Sequence, residues 1–242
     1  MPRYLAYFEY DGTGFRGFQY QPGERTVQGE IERCLEKITG VRIPVTGAGR
    51  TDAGVHALAM PTHLDIERGE ERLSALARIL PRDIALNCWF PVHDAFNARF
   101  DAVERTYHYR IGRRRSPLKA RTEYQPWLTL DTAAMDRAAG LSLGRADWKA
   151  FAKSGGGNST WIMDVRDAGV TGDAEGWTIR ITSDRFLRGV VRLWSGTLLR
   201  VGTGRLSPSV VGDILGGARA VAAGPSLPPC GLTLVEVKYE RV

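Results

Sequence analysis

The sequence predicts an α+β protein made of two similar units that share a sheet. Short alternating segments rich in β-branched and aromatic residues recur along the chain, interleaved with amphipathic segments at helical spacing. A basic stretch with two prolines, Arg113 to Pro126, divides the chain near its middle. Each half then holds roughly two helices and about four strands, a content that suits paired α+β units. The expected boundaries are 1–112 and 113–242, although no sequence repeat links the halves.

Tyr4 to Tyr10 reads as a strand that ends at the turn signal Asp11-Gly12. Val27, Ile31, Cys34, Leu35 and Ile38 recur at helical spacing over 26–39, with Thr26 as the N-cap. A strand is expected over Val41 to Thr46, then a loop reading Gly-Ala-Gly-Arg-Thr-Asp-Ala-Gly, then a strand over Thr62 to Ile66. Glu70 to Leu80 places Leu73, Leu76, Ala77 and Leu80 on one helical face, and strands follow at Ile84 to Phe90 and Thr106 to Ile111. The second half reads as a helix (Asp131 to Leu143), strands (Met163 to Val170, Trp177 to Ser183), helices (Phe186 to Val201, Pro208 to Ala222) and a strand (Leu232 to Glu240). Gly155-Gly156-Gly157 reads as a flexible loop, and no P-loop lysine follows it.

Composition narrows the function. Hydrophobic residues make up 43% of the 242 and charged residues 25%, as in ordinary globular proteins. No apolar run approaches a membrane span and the segment after Met1 has no apolar signal region, so a cytoplasmic location is expected. Cys34, Cys88 and Cys230 are widely spaced and read as three unpaired, buried thiols. Neither they nor the four histidines have metal-ligand spacing, so no metal or cofactor is expected. The net charge of +6, with arginines clustered at 113–115 and at 185, 188 and 192, suits either a solvated basic face or a polyanionic partner.

Residues 47–57 read Gly-Ala-Gly-Arg-Thr-Asp-Ala-Gly-Val-His-Ala. Glycines around one arginine and one aspartate allow positive φ and close backbone approach, so the loop can present Asp52 to a large substrate. The same pattern also fits a tight turn in which Asp52 caps the next element.

This segment resembles the signature of the tRNA pseudouridine synthase A family, in which it surrounds the catalytic aspartate. Further strings match in family order: Tyr10-Asp11-Gly12 with Phe15, Gly17, Phe18, Gln19 and Gln21; Arg25-Thr26-Val27-Gln28-Gly29; Leu80-Pro81 with Asp83-Ile84; Phe96 with Ala98-Arg99-Phe100; Arg105, Tyr107 and Tyr109; Phe186-Leu187 with Val191-Arg192; and Gly231-Leu232 with Leu234. The chain departs from the pattern at Phe18 (usually Trp), Met60 (commonly Gln), Ala146-Asp147-Trp148 (His-Asp-Phe) and near Trp161, where an arginine is usual.

The resemblance implies two ferredoxin-like, RRM-like halves sharing a largely antiparallel sheet, with the active-site cleft between them. It implies a homodimer that isomerises uridine to pseudouridine at positions 38, 39 and 40 in the anticodon arm of tRNA. Asp52 would be the nucleophile and Arg192 would pair with and orient it. Tyr107 would stack on the uracil, Arg50 would serve base flipping or bind phosphate, and Leu187 would contact the substrate. A nucleophilic carboxylate suits a reaction that breaks and remakes a bond at C1′ without redox chemistry, and the target base must leave its stack to be reached. Two other readings of the residues stand beside this one. A non-catalytic RNA-binding module would use the basic surface and the strand aromatics, and a metal-dependent nuclease would use Asp52 and Asp65.

Overall fold

A computed structural model of the chain describes residues 1–153, 160–218 and 222–240. The Gly155–Gly157 loop expected from the sequence lies outside the described residues. The chain forms two compact units: Met1–Val103 with Leu234–Val242, and Glu104–Thr233. The class is α+β, and the nine strands among the described residues are largely antiparallel.

The first unit contains β1 (Arg3–Tyr10), α1 (Val27–Thr39), β2 (Thr46–Gly47), β3 (His56–Asp65), α2 (Gly69–Ile79) and β4 (Ile84–Val92). The spatial strand order β4-β1-β3 continues to the last strand of the chain, β9 (Leu232–Tyr239). β1 runs antiparallel to both neighbours, with Ala6 opposite Thr62 on β3 and Trp89 on β4. α1 begins where predicted. The Thr26 hydroxyl accepts the Gly29 N–H (3.2 Å), and Val27, Ile31 and Leu35 are fully buried.

The strand expected over Val41 to Thr46 does not form, apart from the two residues of β2 beside β3. Ile43 and Val45 are buried in alternation, which produced the strand-like pattern. The Val45 backbone is served by α1 side chains: its N–H donates to Glu32 Oε1 (3.2 Å) and Gln28 Nε2 donates to its carbonyl (3.1 Å). Pro44 has no N–H to give. β3 in turn starts six residues earlier than expected, because Pro61 masks a strand in the sequence. Pro61 contributes its carbonyl, which accepts the Ala48 N–H at 2.8 Å.

The second unit contains β5 (Ala102–Gly112), α3 (Thr132–Gly140), β6 (Gly144–Asp147), β7 (Ile162–Gly172), β8 (Gly176–Ser183), α4 (Val190–Gly202) and α5 (Val210–Leu215). Its strand order is β5-β8-β7-β6. Trp177, Trp194, Phe151 and Met135 are buried, and the Trp194 indole N–H donates to the Ser142 hydroxyl (2.8 Å). At the Ala146-Asp147-Trp148 departure, Trp148 is fully buried against Phe151 and Trp194, and its indole N–H has no hydrogen-bond partner among the described residues.

Three helices are shorter than expected: α3 ends at Gly140 rather than Leu143, and α4 and α5 are also cut back. α4 starts at Val190, after Gly189 at φ 71°, so Phe186 and Arg188 precede the helix. The apolar stripe therefore begins at Val190, and Arg188 and Arg192 do not share a helical face. α5 has six residues where Pro208 to Ala222 was expected. The cysteines are free, but Cys88 is exposed on β4, where burial was expected. Among the described residues no helix is long and apolar enough to cross a membrane.

Candidate active site

In the first unit, Asp52 lies on a connection that leaves β2 and returns as β3. Its carbonyl accepts the Val55 N–H (3.1 Å), closing a turn with Gly54 at φ 78°. Thr51 and Val55 are buried, Asp52 is half-buried, and Arg50 and Ala53 are exposed. The carboxylate thus stands at the rim of a turn whose neighbours face inward. Asp52 is not the cap of a helix, and the element that follows is a strand.

The wall behind this turn is the loop after β1. The Phe18 N–H donates to the Thr51 carbonyl (3.1 Å), and the Gly54 N–H donates to the Phe15 carbonyl (3.2 Å). Gly17, at φ 99°, passes so close that a Cβ there would lie 2.8 Å from the Thr51 carbonyl oxygen. The Tyr10 and Thr51 hydroxyls meet at 2.8 Å, and His56 Nδ1 accepts the Gly12 N–H at 3.0 Å. This loop is held from outside by Arg25, whose guanidinium binds both Asp83 oxygens (2.7 and 2.9 Å) and lies 4.2 Å from the centre of the Phe15 ring. Two matching strings, around Arg25 and around Asp83, thereby gain a physical role that spacing did not disclose.

A recess beside the turn is lined by Phe18, Gln28, Gly47, Gly49, Arg50 and Arg99, among others. Phe18 is buried against Gly47, where a Cβ would sit 2.6 Å from its ring. The larger Trp usual at position 18 would therefore need more room here. Met60 is fully buried on β3, and Trp161 has Lys149 Nζ 5.9 Å from its ring centre.

The second unit carries the remaining candidates. Tyr107 on β5 lies opposite Ile181 of β8 and meets the Phe186 ring edge-on at 5.0 Å. Tyr109, on the same face by strand alternation, is a core residue. It is fully buried, its hydroxyl donates to the Pro228 carbonyl (2.7 Å), and burial pushes its phenol pKa far up. Leu187 is buried just ahead of α4. Arg192, half-buried on α4, forms a reciprocal pair with Leu227: its Nε donates to the Leu227 carbonyl (2.7 Å), and its own carbonyl accepts the Leu227 N–H (3.1 Å). With Nε committed, a carboxylate on Arg192 would be gripped through the Nη groups. Leu227 was not legible as a support, since it falls in no motif.

The nuclease grouping of Asp52 with Asp65 is not assembled. Asp65 ends β3, nine residues beyond His56, and is held by Arg3 through both oxygens (2.7 and 2.8 Å). Among the described residues no group of three acidic, histidine or cysteine side chains could hold a metal ion.

A family model described as tRNA pseudouridine synthase matches residues 6–101 and 138–240. The tRNA pseudouridine synthase A of Parabacteroides distasonis is 39% identical over 243 residues, covering 99% of this chain and 96% of that protein. Those of Caldicellulosiruptor bescii and Cupriavidus necator are 37% and 38% identical, each over 99% of this chain and over 100% and 91% of their own lengths. With its aspartate turn, its bracing loop and full-length similarity of this extent, the chain belongs to the tRNA pseudouridine synthase family of isomerases.

Proposed function

We propose that this isomerase converts uridine to pseudouridine at positions 38, 39 and 40 of the tRNA anticodon stem-loop, with Asp52 as nucleophile. The single observation that carries the reading is the Asp52 turn: a half-exposed carboxylate in a turn anchored by buried Thr51 and Val55 and braced by a second loop. The reaction breaks N1–C1′ and forms C5–C1′ within one nucleotide. Substrate and product have the same atoms, so no oxidant or co-reactant is consumed. A carboxylate can take the position left by the departing base, or add to the ring, while the uracil turns over.

The other roles follow from the resemblance. Arg192 pairs with the carboxylate and fixes its direction, and charge-assisted bonds of this kind are among the stronger ones. Tyr107 stacks on the uracil, in a contact worth about 1–3 kcal/mol. Leu187 borders the base. Arg50, exposed two residues before Asp52, binds phosphate or occupies the vacated stack. Extrusion of the base costs a few kcal/mol, which contacts elsewhere on the tRNA offset. The enzyme works as a cytoplasmic homodimer, and a monomer mass by light scattering with full activity would contradict the dimer.

The decisive test is incubation with unmodified tRNA transcript and chemical mapping of pseudouridine. Product should appear at 38, 39 and 40 with the wild-type chain. With Asp52→Asn no product should form, while tRNA binding persists. Multiple turnover by Asp52→Asn would remove the nucleophile assignment, and product confined to other positions would remove the anticodon-arm assignment.

A further inference from the structure

We propose that Tyr10, Thr51 and His56 are positioning residues of this isomerase, acting together to fix the direction of the Asp52 carboxylate. The inference rests on Asp52 being the nucleophile.

Asp52 is pinned on both sides to one segment, Tyr10 to Phe18. Upstream, Thr51 is 6% exposed and Tyr10 is 3% exposed, and their hydroxyls share a 2.8 Å bond. The Thr51 carbonyl also takes the Phe18 N–H at 3.1 Å. Downstream, the Gly54 N–H is tied to Phe15 (3.2 Å), and His56, 4% exposed, accepts the Gly12 N–H at Nδ1 (3.0 Å). Asp11 Oδ1 lies 3.3 Å from the same nitrogen, but it already accepts the Thr13 N–H (3.0 Å) and hydroxyl (2.6 Å). The shorter contact is the one from the Gly12 N–H, which Nδ1 accepts. His56 Nε2 is buried without a hydrogen-bond partner among the described residues. The ring is thus held here through Nδ1.

The consequence is mechanical. Gly12 packs so tightly on Val55 that a Cβ would fall inside the Val55 carbonyl. The turn cannot slide along this wall, and it can move only by breaking buried hydrogen bonds on one side of Asp52 or the other. None of the three side chains is exposed enough to reach a bound nucleotide, so their effect on the reaction passes through the geometry of Asp52. A nucleophile displaced by about 1 Å can lose on the order of 100-fold in rate, which gives these bonds a catalytic readout.

The test uses the full chain and unmodified tRNA transcript. Single-turnover rates at saturating enzyme are measured beside binding titrations and thermal unfolding. Tyr10→Phe and Thr51→Val each remove one hydroxyl, and Thr51→Ser keeps it. His56→Asn places an amide oxygen where Nδ1 stood, whereas His56→Gln moves the acceptor. Tyr10→Phe, Thr51→Val and His56→Gln should slow the single turnover by about 10- to 100-fold with tRNA affinity unchanged. Thr51→Ser and His56→Asn should restore most of the rate. Tyr10→Phe combined with Thr51→Val should lose less than the two single losses multiplied, since both remove the same shared bond.

Rates that return to wild type once corrected for the folded fraction would overturn the proposal. So would His56→Asn as slow as His56→Gln, or a loss confined to binding. Asp52→Asn in the same assay separates the two readings. If it turns over, the nucleophile assignment falls; if it is inactive while Tyr10→Phe reacts at the wild-type rate, only the positioning role falls.

Discussion

Tyr109→Phe tests the division of labour between two tyrosines on one strand. The ring of Tyr109 is fully buried and packs on Gly231, where a Cβ would lie 2.7 Å from Cζ. Phenylalanine keeps that packing and removes only the hydroxyl, which donates to the Pro228 carbonyl at 2.7 Å. A buried acceptor left without its donor costs about 1–3 kcal/mol. Pro228 is only half-buried, so water can partly replace the lost donor, and the low end, about 1 kcal/mol, applies. For a chain of this size that corresponds to a fall in melting temperature of about 2–4 °C. The single-turnover rate should not change, because the hydroxyl is held in the core. Differential scanning fluorimetry and a single-turnover assay on one preparation read both quantities. A rate loss of about an order of magnitude, with an unmoved melting temperature, would refute the assignment of Tyr109 to the core. Tyr107→Leu is the companion: it removes the ring proposed to stack on the uracil, a kind of contact worth about 1–3 kcal/mol, and on that proposal it should lower the single-turnover rate.

Arg192→Lys keeps the charge but loses both the planar fork and the Nε bond to Leu227, so it should bind tRNA, melt slightly lower and react far more slowly; a wild-type single-turnover rate would remove Arg192 from the mechanism. Binding should weaken steeply with salt, with a slope approaching −0.9 per phosphate neutralised, by analogy with B-DNA; Arg113 should matter less than Arg114, because it is engaged with the Trp177 ring at 4.3 Å and the Asp173 carbonyl at 3.0 Å. The Arg3 guanidinium holds the Asp65 carboxyl below its usual value, and Arg180 does the same to Asp167. A carboxylate depressed in the folded state contributes stability that is full above its unfolded pKa and lost as pH falls through the folded one. Stability should therefore drop on acidification below about pH 4, and Asp65→Asn should remove part of that acid limb while costing at most about 1 kcal/mol at neutral pH, since the pair is half-exposed; an unchanged acid limb in the variant would sink this account.

The sequence disclosed the aspartate turn and α1 because both depend on local chemistry. Glycines and Asp52 are contiguous, and Thr26 caps α1 through the next three residues. It failed where backbone partners are distant. Val41 to Thr46 carries a strand pattern, yet its hydrogen bonds run to Gln28 and Glu32 on a helix. The slot at the far edge of β3 is taken instead by β9 from the end of the chain. Phe186 and Arg188 sit in helical phase with α4, and only the positive φ at Gly189 shows that they lie outside it. For the candidate site, the resemblance pointed to Asp52, Arg50, Tyr107, Leu187 and Arg192. The supports stayed hidden, because Tyr10 and Thr51 are 41 positions apart, and Arg192 and Leu227 are 35 apart. Periodicity carries no information about contacts of that span.

The placement of β9 bears on how the protein is made. The first unit is assembled from residues before Val103 and after Leu234, and everything between belongs to the second. Tyr239 closes the first unit: its ring meets Phe96 in a tilted contact at 5.1 Å and its hydroxyl donates to the Ala98 carbonyl at 2.8 Å. A ribosome emits the Asp52 turn early, but the strand that completes the surrounding unit emerges only after the whole of the second unit. The second unit can fold on the growing chain, while the first waits for Leu234–Tyr239 with an open edge at β3. Synthesis that stalls shortly before residue 234 would yield a chain that contains every proposed site residue and lacks the strand that completes the fold around Asp52.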